Sequence, residues 1–120
     1  MGEITIYHNG ICSKSRGALE ILMDGQIPHT VRWYLAEPLT VDELSSLLLK
    51  LGMQPSDLVR KSEPLYLENY AGRDITEDKW LTILQSHPEL IERPIVETTT
   101  TAIIARPPQS IYDILPKNNC

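Results

Sequence analysis

A chain of 120 residues and 13.6 kDa is the size of one compact domain that can bury its own core. Apolar residues make up 42% and charged residues 22%, which excludes a disordered chain, and with no phenylalanine the core falls to Leu, Ile and Val. A net charge of −5 argues against nucleic-acid and anionic-membrane partners, and two cysteines exclude a disulfide-dense scaffold or a Cys-rich zinc site.

Glu3-Ile4-Thr5-Ile6-Tyr7 alternates apolar and polar residues and predicts a strand, which Asn9-Gly10 breaks. Ala18, Leu19, Ile21, Leu22 and Met23 then form a helical stripe within Ser13 to Met23, closed by Asp24-Gly25. After Pro28, the run His29 to Leu35 carries Val31, Trp33 and Tyr34 and predicts a second strand. These elements make a βαβ unit, which favours a parallel strand pair. Thr40 followed by Glu43 is a capping box, with Leu44, Leu47, Leu48 and Leu51 on one helical face beyond it.

Ser56 to Lys61 predicts a short helix, and Thr76 caps another that carries Trp80, Leu81 and Leu84 and stops before Pro88. Ile95-Val96 and Ala102-Ile103-Ile104 predict a hairpin around Thr98 to Thr101, although no glycine marks the turn. Ser110 to Leu115, behind Pro107-Pro108, predicts a last short helix. The order reads as an α/β thioredoxin-like fold, βαβ–helical insertion–ββα. A single domain over residues 1–120 is expected, with the helical insertion at about residues 40–90.

The first residues lack the basic start and apolar run of a signal peptide. Leu47-Leu48-Leu49 is far too short to span a bilayer. A reducing, cytoplasmic setting with no membrane partner is therefore expected.

Cys12 carries the chemistry. It lies between the first strand and the first helix, in His8-Asn9-Gly10-Ile11-Cys12-Ser13-Lys14-Ser15-Arg16. A thiol at a helix N-terminus faces unpaired backbone N–H groups and the positive end of the dipole, and both favour the nucleophilic thiolate. Lys14 and Arg16 add positive charge, and the same N–H groups can cradle an oxyanion. The competing reading is a small buried hydrophobe, which these polar neighbours disfavour. Ser15 stands where a C-x-x-C motif would have its second cysteine, so the thiol must be resolved by another molecule or by Cys120.

The blocks Ile4 to Asn9, Cys12 with Ser15-Arg16, Leu58 to Lys61, Leu90 to Val96 and Ala105 to Pro108 resemble the glutaredoxin-dependent arsenate reductases of bacteria. They run from the first strand to the last helix, so the resemblance covers nearly the whole chain. It implies that Cys12 attacks arsenate, and that Arg60, Arg93 and Arg106 bind the oxyanion and stabilise the intermediate. It further implies that His8 assists ionisation of the cysteine, that Ser15 hydrogen-bonds its sulfur, and that Pro94 is the cis-proline beside the active cysteine. Glutathione as co-substrate and glutaredoxin as partner follow from the same resemblance, with no bound cofactor.

Arginine suits such a site on physical grounds, because its planar fork donates paired hydrogen bonds to an oxyanion and keeps its charge. Taken singly, each arginine is better explained by a solvated charge or an ion pair, and only the joint match to the family lifts the three. Gly10 departs from the family, which usually has proline there.

His29 and His87 have no second ligand at metal spacing, so no metal is expected. Tyr66 and Tyr70, four residues apart, suit packing better than substrate stacking. Two alternatives stand beside arsenate reduction: a glutathione-linked thiol/disulfide oxidoreductase and a non-enzymatic Spx-like redox regulator. The regulators use a C-x-x-C switch, which Ser15 removes. Nothing in the sequence requires more than a monomer.

Overall fold

The structure, a computed structural model, describes residues 4–10 and 12–114. They cluster into two compact units, residues 4–32 with 93–114 and the intervening Trp33–Glu92.

The first unit holds the sheet. Its elements are β1 (Thr5–Tyr7), α1 (Ser13–Asp24), β2 (Thr30–Arg32), β3 (Ile95–Glu97), β4 (Ala102–Ile104) and a 3-10 helix at Pro108–Asp113. The strand order is β2-β1-β3-β4. β1 runs parallel to β2 with Ile6 opposite Val31, and antiparallel to β3 with Ile6 opposite Val96. Ile6, at the centre of the sheet, is fully buried, as are Leu22 and Ala18 of α1, Val96, and Ile111 of the 3-10 helix. This is the predicted thioredoxin-like α/β arrangement. It sets the end of β1, the start of α1 and the entry to β3 around Cys12.

The β3–β4 hairpin turns without glycine because Thr98 closes it. The Thr98 N–H donates to the Thr101 carbonyl at 2.7 Å, and the Thr98 hydroxyl accepts from the Thr101 N–H at 3.1 Å. A threonine hydroxyl bonded to the backbone two or three residues on is a local substitute for left-handed backbone. The register is Ile95 opposite Ile104 and Glu97 opposite Ala102.

The second unit is mainly helical: α2 (Val41–Leu51), α3 (Pro64–Asn69) and α4 (Glu77–Ser86), with 3-10 turns at Pro55–Leu58 and Pro88–Leu90. The predicted capping box forms, with Glu43 N–H to Thr40 Oγ1 at 3.1 Å and Thr40 N–H to Glu43 Oε1 at 3.0 Å. Leu44, Leu47 and Leu48 are buried below it, and Gly52 ends α2 in the left-handed region at φ 67°. Thr76 caps α4, whose Trp80 and Leu84 are buried. Tyr66 stacks on Trp80 at 6.2 Å between ring centroids, and Tyr70 meets it at 5.5 Å, so both tyrosines do pack.

Three predicted elements differ. The second strand stops at Arg32, because the N–H groups of Ala36 and Glu37 turn back to the Trp33 carbonyl at 3.0 and 2.8 Å. The helix expected over Ser56 to Lys61 is a 3-10 turn ending at Leu58. Val59 then pairs with Ile91 as an extended bridge, and Arg60 N–H reaches the Leu90 carbonyl. The last helix is a 3-10 helix that begins two residues early, at Pro108. α3 carries no strong periodic signal and was not anticipated. No helix among the described residues is long and apolar enough to cross a membrane.

Candidate active site

Cys12 is the N-cap residue of α1, with extended backbone at φ −92° and ψ 121°. Its N–H donates to the Asn9 carbonyl at 3.1 Å and its own carbonyl accepts from Arg16 N–H at 3.0 Å, which fixes the thiol at the helix start. The residue is half-buried. Burial opposes ionisation of the thiol. It is outweighed by the nearby Ser15 backbone N–H, the Arg93 side chain, the Lys14 backbone N–H and the Arg93 charge, all of which favour the thiolate. The thiol is therefore held below its ordinary value, and no acidic side chain in the first turn of α1 opposes this.

Around Ser15, three residues after Cys12, lies a buried polar cluster. The Ser15 hydroxyl accepts from the Asn9 N–H at 2.9 Å and lies 2.7 Å from His8 Nδ1. His8, Asn9 and Ser15 are all buried. The family resemblance assigns Ser15 to the sulfur, without distinguishing its hydroxyl from its backbone. In the structure that hydroxyl binds His8 and Asn9, while the Ser15 backbone N–H faces the thiol. Burial pushes the His8 pKa down, a hydrogen bond to the Ser15 backbone acts the other way, and the Arg16 charge adds to the lowering. His8 is thus a neutral imidazole at pH 7.

Arg93 and Arg106 enter from the hairpin. Each precedes a cis-proline, Pro94 before β3 and Pro107 after β4. The strand register sets these ends side by side, and Ala105 N–H donates to the Pro94 carbonyl at 2.8 Å. Arg106 Nη1 donates to the Arg93 carbonyl at 3.0 Å, so the exposed Arg106 is anchored to the backbone of the arginine that faces the thiol.

His8, Cys12, Ser15, Arg93, Pro94 and Arg106 thus share the first unit. Arg60 belongs to the second, where its guanidinium lies 3.5 Å from both Glu63 and Glu92. Cys120 lies outside the described residues. Among the described residues no cluster of His, Cys, Asp and Glu could hold a metal ion. The sequence offered Lys14 only as a nearby charge and gave Asn9 no role. Their backbone contributions depend on the cap geometry, for which the strand-to-helix break at Asn9-Gly10 was the one available signal.

The arrangement presents a low-pKa thiol with two amide donors and a guanidinium aimed at it, a site suited to attack on a small oxyanion. Residues 7–114 match the ArsC family. The chain is 39% identical over 117 residues to an arsenate reductase of Escherichia coli, covering 97% of this chain and 83% of that protein. It is 37% identical to the uncharacterized protein YfgD of Escherichia coli strain K12, over 94% of this chain and 97% of that one. Among solved structures it is similar to an arsenate reductase from Vibrio cholerae, with a TM-score of 0.88 and 37% identity, covering 95% and 98% of the two chains.

Proposed function

The chain belongs to the ArsC family, and on that premise we propose that it reduces arsenate to arsenite with Cys12 as the nucleophile. The observation that carries this reading is the half-buried Cys12 thiol at the N-cap of α1, held below its ordinary pKa with the Arg93 charge beside it. Such a setting lowers the thiol pKa and also stabilises negative charge on an oxyanion brought against it.

The Cys12 thiolate attacks arsenic(V) and expels one oxygen as water, forming a sulfur–arsenic bond. Arsenate is largely a dianion at neutral pH, so the leaving oxygen needs a proton and the bound group needs positive charge. Arg93 and Arg106 supply the charge. They are anchored to each other by the 3.0 Å bond from Arg106 Nη1 to the Arg93 carbonyl. Arg60, held between Glu63 and Glu92, joins this reading through the family resemblance alone. Neutral His8 supports the cap through Ser15 rather than pairing with the thiolate as a cation.

Reduction to arsenic(III) requires two electrons, and Cys12 is the one cysteine among the described residues. We assign the electrons to external thiols. Glutathione displaces a second oxygen to give a mixed adduct. A glutaredoxin thiol then attacks the glutathione sulfur and forms a mixed disulfide, leaving arsenic reduced and, after hydrolysis, Cys12 free.

The test couples arsenate, glutathione, glutaredoxin and glutathione reductase to NADPH oxidation. NADPH loss that needs both arsenate and glutaredoxin is the expected result. Loss with a glutathione mixed disulfide when glutaredoxin is omitted, depending on Cys12 and absent with arsenate, would assign the protein to thiol/disulfide exchange instead.

A further inference from the structure

Gly17 lies in the second turn of α1, five residues after Cys12, where an ordinary side chain would be expected on a helix. A Cβ built at this position would stand 3.0 Å from Cγ and 3.5 Å from Cβ of Pro108. α1 therefore approaches the 3-10 helix at Pro108–Asp113 more closely than any residue but glycine permits without a shift. The contact continues inward through the core, where Ala18 and Leu22 of α1 and Ile111 of the 3-10 helix are fully buried in one cluster. Packed interiors have few voids to absorb such a shift.

Pro108 is two residues from Arg106 in the chain. Whatever sets Pro108 against α1 thus also sets where Arg106 begins, relative to the helix that carries the thiol. We propose that Gly17 is a positioning residue: its missing side chain fixes the distance between the Cys12 end of α1 and the Arg106 guanidinium. The inference rests on the reading of Arg106 as an anion-binding group. It goes beyond that reading by assigning the spacing of the anion site to a residue that touches no substrate.

The test uses two alkylating agents on the full chain, anionic iodoacetate and neutral iodoacetamide, at one pH and ionic strength. Their rate ratio at Cys12 reports positive charge beside the thiol and does not require arsenate to be the substrate, so it stays readable whatever the turnover assay gives. The ratio should fall in Arg106→Gln, fall in Gly17→Ala and fall further in Gly17→Val. The iodoacetamide rate, set by the amides and Arg93, should hold. Adding Pro108→Ala to Gly17→Ala removes the colliding Cγ and should restore the ratio. Alanine favours helix over glycine, so a weakened α1 would not explain the loss. An unchanged ratio in Gly17→Ala, no recovery with Pro108→Ala, or an unchanged ratio in Arg106→Gln would each overturn the inference.

Discussion

Arg93 does at the residue scale what no sum over the chain could reveal. Its side chain lowers the Cys12 thiol pKa while its carbonyl accepts from Arg106. Replacing it by glutamine removes both a donor and a charge, so the alkylation rate of Cys12 should rise at higher pH than in the wild type. The inflection should move up towards the value of a free thiol, near about 8.5. Lysine at this position keeps the charge but loses the fork, and should recover only part of the shift. An Arg93→Gln inflection that matches the wild type would remove this residue from the site.

Ser15 is a different case. Its hydroxyl accepts from the buried Asn9 N–H and meets His8 Nδ1, and Ser15→Ala removes both of these bonds. The expected cost is about 1–3 kcal/mol in urea unfolding. The shift in thiol pKa should be smaller than for Arg93→Gln, because the backbone N–H remains. His8 adds a pH dependence of known sign. Its folded pKa is depressed below its ordinary 6.5, so the unfolded chain binds the proton first. The stability it contributes is complete above about pH 6.5 and is lost as pH falls through the lower folded value. Urea midpoints from pH 7.5 down to 5 should decline, and His8→Gln should flatten that decline.

Elements show which physical signals survive in a bare sequence. The Thr40–Glu43 capping box and the Leu44, Leu47, Leu48 face were legible because they depend on spacing alone. Thr40→Ala should cost α2 about 1 kcal/mol, read as a shift in the urea midpoint. The short helix over Ser56 to Lys61 was legible in place, but its 3-10 form and its end at Leu58 were not, since two long-range features help to set them. Glu77 accepts from both the N–H and the hydroxyl of Ser56, and Val59 bridges to Ile91. Neither partner is near in sequence. The β3–β4 turn was anticipated in place but not in mechanism, because a Thr98 hydroxyl took the part usually given to glycine. At the site, Cys12 and its helix end were readable from the strand-to-helix break, whereas the aim of Arg93 required the fold.

At the scale of the whole molecule, a formal charge of −5 would repel a dianion. The proposed chemistry depends on positive charge gathered where the total does not show it: a helix N-terminus, Arg93 and Arg106. The family match over residues 7–114 gives that local charge a chemical purpose. The central claim is that Cys12 carries arsenate reduction, and the most direct measurement is arsenic speciation after incubation with arsenate, glutathione and glutaredoxin. Wild-type protein should release arsenite, and Cys12→Ser should reduce it to the level without protein. No arsenite from the wild type, or undiminished arsenite from Cys12→Ser, would contradict the account.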